Sequence, residues 1–171
     1  MINKPILLKG KKYHDKRGFF QEIYLYRKYK VKVIFSAIAF SKKNVIRGLH
    51  FQKPNKQTKI IYVIKGKIQD VIVNLKKDSK TYGKVFRYNL VEGDTLIVPN
   101  NFAHGYECVS KNCIVLYHLD NYRNKKGENG IKFDDPELNI KWHTKRPIVS
   151  KRDKNCSSFK EFRIKKKSIK E

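Results

Sequence analysis

Cysteine, acidic residues and long apolar runs are scarce in this sequence, and each scarcity narrows what the protein can be. The three cysteines, Cys108, Cys113 and Cys156, show no CxxC spacing, which argues against a disulfide framework and against a zinc site. No apolar run is long enough to span a bilayer, and the N-terminus lacks the sustained apolar core of a signal peptide. We therefore expect a cytoplasmic protein without a membrane-spanning segment.

The scarcity of acidic residues gives the chain an unusual charge. Its 15 Asp and Glu stand against 40 Lys and Arg, for a formal net charge of +25. Such a charge would suit nucleic acid, an anionic membrane surface or small phosphorylated substrates, so charge alone does not identify a partner. Most lysines alternate with apolar residues, as on the solvent face of β-strands. Only residues 151–170 form a dense basic run, which we interpret as a solvated, partly frayed terminus rather than a nucleic-acid-binding arm.

Helical periodicity is also lacking before residue 157, and we expect at most one short helix, near residues 157–164. The chain instead has short apolar or alternating segments separated by Gly, Pro and Asn turns. Short strands at regular spacing predict an all-β sandwich or barrel. The 171 residues are enough for one hydrophobic core and show no linker, so we expect a single domain over 1–171, with a basic tail from about residue 154. The strand candidates are 6–8, 31–40, 60–64, 68–75, 85–91, 95–98, 102–107 and 113–119.

One segment concentrates groups that can perform acid–base chemistry. Residues 47–52 (RGLHFQ) contain His50, and Lys59 follows at the start of the next apolar strand. A histidine can take and return a proton near neutral pH, and a lysine can supply positive charge to a developing oxyanion. The alternative for a lone histidine is a buried, hydrogen-bonded side chain beside ordinary surface cations. The other motifs favour the functional interpretation.

Eight segments occur in an order that resembles the dTDP-4-dehydrorhamnose 3,5-epimerase family, which are metal-independent nucleotide-sugar epimerases. Any one segment would be weak, but the ordered set, from Asp15 to Asp153, is specific. The resemblance implies an all-β, cupin-type jelly roll (double-stranded β-helix) with little helix. The segments are DKRGFFQE, KKNVIRGLHFQ, QTKIIYVIKGKIQDVIVNL, DSKTYG, VPNNFAHGY, LYHLDNY, GI-x-FDDPELNIKW and SKRD.

The usual metal ligands of cupins are incomplete in this sequence. The first cupin motif normally carries HxH and a later Glu, but Gln52 stands where the second histidine would fall. Zinc or iron needs several convergent His or carboxylate ligands, and only His50 and His104 are plausible ones here. We therefore expect no metal and no cofactor.

The resemblance implies specific catalytic roles. The family's substrate is a nucleotide-linked 4-keto-6-deoxyhexose, whose ketone acidifies the hydrogens at carbons 3 and 5. Removal of either hydrogen gives an enolate, so inversion needs a base, an acid on the opposite face and a cation at the oxygen. By resemblance, His50 is the base, Asp153 its carboxylate partner, Tyr117 the acid and Lys59 the cation. Taken singly, each also has a structural alternative, such as a tail carboxylate, a core aromatic residue or an edge-strand cation.

The resemblance also implies a substrate-binding set and a homodimer. Arg17 and Arg47 suit a diphosphate, because a guanidinium can make paired, charge-assisted hydrogen bonds. In the family, the segment corresponding to residues 17–22 usually completes the neighbouring subunit's site, so we expect active sites completed across a dimer interface. The implied binding residues are Arg17, Phe20, Glu22, Arg47, Gln52, His104, Glu128 and Arg152.

Three departures from the family pattern bear on substrate identity. The segment from Phe35 to Phe40 stands where the family usually presents polar residues to the ligand, Asn74 replaces a common aspartate, and Arg123 replaces a frequent aromatic residue. Loss of polar contacts should change which base or sugar is preferred. The nucleotide could thus be dTDP, UDP or GDP, and the number of inverted carbons stays open.

Three functions follow from these observations. The leading one is a 3,5-epimerase of a nucleotide-linked 4-keto-6-deoxy sugar, serving cell-surface polysaccharide synthesis. The second is a single-carbon epimerase acting on another keto sugar. The third is a non-catalytic cupin that binds polyanions, which is disfavoured because a binding protein needs no acid and base together. Nucleic acid and membranes are not expected partners.

Overall fold

The computed structural model describes residues 2–165 and is built mainly from antiparallel β-strands, so the all-β prediction is confirmed. Within this range, no helix is both long enough and apolar enough to cross a membrane. The helices are α1 (Tyr26–Tyr29), α2 (Lys151–Lys154) and α3 (Phe159–Lys165), with a 3-10 turn at Lys125–Gly127. The expectation of at most one short helix is therefore wrong: α3 lies where the helix is expected, but single helical turns, which are too short to show helical periodicity, precede it. The strands are β1 (Ile6–Leu8), β2 (Tyr13–Asp15), β3 (Gly18–Phe20), β4 (Phe35–Lys42), β5 (Ile46–Gln52), β6 (Lys59–Lys65), β7 (Lys67–Asn74), β8 (Val85–Val91), β9 (Thr95–Val98), β10 (Phe102–Cys108), β11 (Asn112–Leu119) and β12 (Glu128–Gly130).

Two five-stranded antiparallel sheets face each other. The first sheet has the strand order β1-β9-β6-β11-β4 and the second has β12-β5-β10-β7-β8. Because side chains alternate across a strand, every second residue points between the sheets. Apolar residues of both sheets, including Val63 and Leu96 from the first and Ile72 and Leu90 from the second, form one buried cluster there. This arrangement is the jelly roll that the resemblance implies.

The apolar run of β7 is buried on both of its faces. Ile68 and Ile72 point between the sheets, whereas Val71 and Val73 point outward. The outward residues are covered by the C-terminal part of the chain, which contributes Ile131, Leu138 and Phe159 among others to a second cluster. A strand buried on both faces reads as a continuous apolar run rather than as an alternation.

The start of the basic C-terminal run is packed rather than frayed. Phe159 in α3 is 3% exposed, and the ring of Phe162 lies 5.2 Å from that of Phe51 on β5. The expectation of a solvated terminus therefore does not hold for the segment up to α3, because its aromatic residues cover the second sheet while its cations remain outside. Positions 166–171 of the expected tail lie outside the described residues. The single-domain interpretation stays a prediction.

The segment before β4 differs from its prediction. The apolar run 31–40 was expected to be a strand throughout, but β4 begins at Phe35, and the short helix α1 precedes it. The Tyr24 hydroxyl donates to the Val31 carbonyl and accepts from the Val31 N–H, which closes a loop around α1. Val31 is buried there against Ile60 and Ile97. Its apolar character reflects this packing rather than strand pairing.

Candidate active site

A cleft of about 410 Å³ opens between the two sheets, at the edges formed by β4 and β12. Many of the strand positions that line it carry polar side chains, whereas the inward positions elsewhere in the two sheets carry apolar ones. Eight of the residues implied by the resemblance line this cleft. They are Arg47, His50, Gln52, Lys59, His104, Tyr117, Glu128 and Arg152.

His50 projects from β5 and is held by a carboxylate behind it. Its ring Nε2 lies 2.9 Å from Asp153 Oδ1, and the other oxygen of Asp153 accepts the Gly48 N–H at 3.1 Å. Ser150 caps α2 by accepting the Asp153 N–H, which places the carboxylate under the ring. Burial raises the pKa of Asp153, but the hydrogen bonds from His50 and Gly48 outweigh it and leave that pKa below its usual value. The carboxylate is therefore ionised and can stabilise a protonated imidazole.

Lys59 is a buried cation beside His50. It begins β6, is 8% exposed, and donates from Nζ to the His50 carbonyl at 2.9 Å. Burial lowers the pKa of Lys59 to about 8, while the negative charges of Asp70 and Glu128 partly oppose the shift. The lysine is thus still mostly protonated at neutral pH and can place positive charge in a poorly solvated site.

Tyr117 faces His50 from the opposite wall, since it projects from β11 of the first sheet. Among the described residues its hydroxyl has no hydrogen-bond partner. Burial raises the pKa of Tyr117 well above its usual value, and the proximity of Tyr106 and Asp70 adds to the effect. The hydroxyl is therefore protonated in the free protein and available to a ligand.

His104 lies beneath these groups in a second histidine–carboxylate pair. Its ring Nε2 is 2.7 Å from Asp70 Oδ2, and both side chains are almost fully buried. The rings of His104 and Tyr117 meet edge to face with centroids 6.0 Å apart. Burial lowers the pKa of His104 despite the opposing charge of Asp70.

Arg47 and Gln52 are both held by hydrogen bonds within the chain, but only Arg47 keeps N–H donors that these bonds do not use. Arg47 is aimed by two bonds, from Nε to Ser41 Oγ and from Nη2 to the Phe40 carbonyl, each 2.9 Å long. Gln52 donates its amide to the carbonyls of Asn55 and Tyr122, at 2.6 and 3.0 Å. Gln52 therefore braces two loops of the chain, because both of its amide hydrogens are already used.

Glu128 forms ion pairs with Arg123 and Arg152 at the rim of the cleft. One of its oxygens accepts from Arg123 Nε, and the other accepts from Arg152 Nη1 at 2.7 Å. The hydrogen bonds from Arg123 come first among the causes that lower the pKa of Glu128 to about 2, and those from Arg152 add to them. The three side chains form one ionised cluster of net charge +1.

Arg17, Phe20 and Glu22 lie outside this cleft. Arg17 is at the tip of the β2–β3 hairpin, where it is paired with Asp15 at 2.6 Å, and its side chain is 90% exposed. Phe20 is 67% exposed, and Glu22 lines a separate surface depression. A single chain therefore does not bring these three residues to His50.

The sequence matches the family model described as dTDP-4-dehydrorhamnose 3,5-epimerase over residues 1–161. The chain belongs to this family. The epimerase of Methanothermobacter thermautotrophicus is 33% identical over 170 residues, covering 94% of this chain and 92% of its own. The structure of the Bacillus anthracis epimerase, determined with TDP and pyrophosphate bound, is 35% identical, covers 93% of this chain and 97% of its own, and has a TM-score of 0.88. The Sulfolobus tokodaii epimerase is 37% identical, covers 92% of this chain and 91% of its own, and has a TM-score of 0.85.

Two functional candidates in this family member were not singled out as site residues from the sequence. Asp70 sits in the apolar stretch of β7, and the alternation 68, 70, 72 already places it at an inward position. Arg123 follows Tyr122 in a turn-rich segment, where nothing local indicates that it reaches the cleft. Alternation along the strand could have revealed Asp70 as a buried carboxylate, whereas Arg123 could not be found in this way.

One wall of the cleft is apolar. Phe35, Ala37 and Ala39 occupy alternate positions of β4 and line the cleft opposite the polar rim. They are the departures noted in the sequence, and they leave this wall without side-chain hydrogen bonds for a ligand. Within residues 2–165, no group of three or more His, Cys, Asp or Glu side chains is placed to hold a metal ion. The expectation of a metal-free reaction stays a prediction.

Proposed function

We propose that the chain is an isomerase that inverts carbons 3 and 5 of a nucleotide-linked 4-keto-6-deoxyhexose. The observation that carries the proposal is the placement of a carboxylate-backed imidazole, His50, and a protonated phenol, Tyr117, on opposite walls of one cleft. Inversion requires that a proton leave one face of a carbon and that another arrive at the opposite face. The family membership and the names of the relatives support the same reaction.

In the proposed mechanism, His50 removes the proton from the carbon next to the ketone. The electron pair moves onto the carbonyl oxygen, and Lys59 stabilises the resulting enolate by its positive charge. Asp153 stabilises the imidazolium that His50 becomes. Tyr117 then delivers its proton to the opposite face of the same carbon, and exchange with solvent returns His50 and Tyr117 to their starting states.

We further propose that the functional unit is a homodimer. The β2–β3 hairpin exposes Phe19 and Phe20, which are 52% and 67% exposed. An exposed aromatic hairpin is unusual on a monomer and suits insertion against a second copy. In such a dimer, Arg17, Phe20 and Glu22 would line the partner's cleft rather than their own. The cytoplasmic location expected from the sequence also remains a prediction.

The proposal is tested by proton exchange in heavy water, followed by NMR. The protein is mixed with dTDP-4-keto-6-deoxyglucose and, in parallel, with its UDP and GDP counterparts. Deuterium at carbons 3 and 5 is the expected result, and the accepted nucleotide identifies the substrate. No exchange with any of the three, from folded protein, would contradict the proposal.

The same experiment decides the alternative of a single-carbon epimerase. This alternative is favoured by the apolar wall of Phe35, Ala37 and Ala39, since a site with different contacts can hold the sugar in a different orientation. Deuterium at one carbon only would establish it. In either case His50→Asn should abolish whatever exchange the wild-type protein shows.

A further inference from the structure

The rim of the cleft contains an arginine that the sequence patterns did not assign to any role. Arg123 lines the cleft together with Glu128 and Arg152, and its side chain is 56% exposed. Exposed arginines on loops usually sample many rotamers and contribute little to binding until they are ordered. Arg123 differs because both its backbone and its guanidinium are held in place.

The backbone on each side of Arg123 is fixed by the amide side chains of two glutamines. Gln52 donates to the Tyr122 carbonyl at 3.0 Å and accepts the Asn124 N–H at 2.8 Å. Gln57 also donates to the Tyr122 carbonyl, at 3.1 Å. Gln52 is itself 4% exposed and is the last residue of β5. The loop that carries Arg123 is therefore anchored to the strand that carries His50.

The guanidinium of Arg123 is fixed by Glu128. Its Nε and Nη2 groups both donate to the Glu128 carboxylate, and Arg152 Nη1 donates to the same carboxylate. Each guanidinium has five N–H donors, so each retains several that Glu128 does not use. With both oxygens of Glu128 occupied by arginines, its carboxylate orients these cations and has little capacity left to bind a ligand.

We propose that Arg123 binds the diphosphate of the nucleotide sugar together with Arg152, and that Glu128 and Gln52 are positioning residues for this pair. This inference rests on the proposed function, since it specifies which group of the substrate meets the rim. Two guanidinium groups held by one carboxylate leave a net charge of +1 and several unused donors, which suits the paired oxygens of a diphosphate. The sugar then extends from the rim toward His50 and Lys59.

The test measures binding without turnover, by calorimetric titration with dTDP, dTMP and thymidine. The quantity of interest is the affinity gained from the phosphates, which is the ratio of the thymidine Kd to the dTDP Kd. Arg123→Gln should lower dTDP affinity about tenfold and leave thymidine affinity unchanged. Arg123→Lys should restore part of the loss, because it returns the charge without the planar fork.

Arg87→Gln is the matched control. Arg87 is an exposed arginine on β8, at the edge of the second sheet opposite to β12, so this change removes the same charge far from the cleft. It should change dTDP affinity less than twofold. If Arg123→Gln has no larger effect than Arg87→Gln, or weakens thymidine as much as dTDP, the inference is wrong.

Glu128→Gln distinguishes a positioning residue from a simple charge. Removal of a negative charge from a cationic rim should by itself strengthen the binding of an anion. If Glu128 orients the arginines, the same change instead lowers the affinity gained from the phosphates, with thymidine affinity unchanged. Stronger dTDP binding by Glu128→Gln would overturn the positioning role.

The outcome is separable from that of the proposed function. If the wild-type protein exchanges deuterium into the sugar and Arg123→Gln binds dTDP as tightly as wild type does, the proposed epimerase stands and this inference is refuted. If Arg123→Gln loses dTDP binding but the wild-type protein exchanges no deuterium into any sugar, the diphosphate site stands and the proposed epimerase is refuted. A wild-type protein that binds dTDP no better than thymidine, with the UDP and GDP series equally flat, refutes the inference directly.

Discussion

His50 and His104 lie opposite each other on the neighbouring strands β5 and β10. Each ring is hydrogen-bonded through Nε2 to a different carboxylate, His50 to Asp153 and His104 to Asp70. His50, whose side chain is 36% exposed, is open to the cleft, whereas that of His104 is 4% exposed. Burial lowers the pKa of His104, and the nearby positive charges of Lys59 and His50 lower it further against the effect of Asp70. The low pKa of His104 favours its neutral form, and its burial keeps it from the open cleft, so the two similar pairs are suited to different tasks.

The carboxylate behind His50 should be essential for turnover. We expect Asp153→Asn to lower kcat about 10²- to 10⁴-fold, because an amide cannot stabilise the imidazolium that forms on His50. The rate of deuterium incorporation at carbons 3 and 5 measures this loss. Circular dichroism serves as the control, since the change preserves the size of the side chain. A kcat within threefold of wild type would contradict the assigned role.

The hydroxyl of Tyr117 should be needed to complete inversion. Tyr117→Phe removes the proposed proton donor from one wall of the cleft, so we expect the formation of inverted product to fall about 10²- to 10⁴-fold. Tyr82→Phe is the matched control, because the buried hydroxyl of Tyr82 has no hydrogen-bond partner in the described part of the chain. That control should keep full activity and raise the free energy of unfolding by about 1 kcal/mol, as an unsatisfied polar group is removed.

Lys59 should set the alkaline limit of activity. Because its pKa in the folded protein is about 8, we expect kcat/KM to fall as the pH rises through that value and the lysine becomes neutral.

The lowered pKa of Lys59 should also make stability depend on pH. In the unfolded chain Lys59 keeps its proton up to a pKa near 10.5, so between pH 8 and 10.5 the unfolded chain binds more protons than the folded one. Stability should therefore rise with pH over that window, by this group's contribution, and Lys59→Met should remove the rise in a thermal-denaturation series.

The negative charge of Asp70 should raise the pKa of Lys59 and so shift the alkaline limit of activity. Its negative charge holds the pKa of Lys59 up, and burial would lower that pKa further without it. We therefore expect Asp70→Asn to move the alkaline limb of the kcat/KM profile to lower pH. Asp94→Asn is the control, because Asp94 is a buried carboxylate paired with Lys9 at 2.7 Å on another part of the barrel. An unchanged limb in Asp70→Asn would show that the two charges are not coupled.

Mixed dimers should reveal whether Arg17 acts across an interface. His50→Asn and Arg17→Ala proteins should each be nearly inactive alone. If Arg17 serves the partner's cleft, a mixed dimer has one site with neither defect, so unfolding and refolding an equal mixture should regain about a quarter of wild-type activity. No regain in a mixture shown to contain mixed dimers would mean that Arg17 acts within its own chain or not at all.

Most of the strands could be located from the sequence because their signal is local. The alternation of apolar and polar residues depends only on neighbours within a few positions, and so do tight turns such as those at Gly66 and Gly93, where φ is positive. Prediction was wrong where a residue's environment came from distant parts of the chain. Val31 looked like strand because it is apolar, yet it is buried by the closing of a loop. The C-terminal run looked solvated because it is basic, yet Phe159 is buried against the second sheet.

The sequence by itself determined the all-β class, the resemblance to the family and the identity of most groups in the cleft, since strand pattern and ordered motifs are carried by the order of residues. Only the tertiary structure decided which of those groups meet. His50 and Asp153 are 103 positions apart, and His104 and Asp70 are 34 apart. The loop that carries Arg123 is held at the cleft by hydrogen bonds from the side-chain amide of Gln52, across 70 positions or more. Contacts of this kind depend on how strands pair and sheets pack, which no local pattern contains.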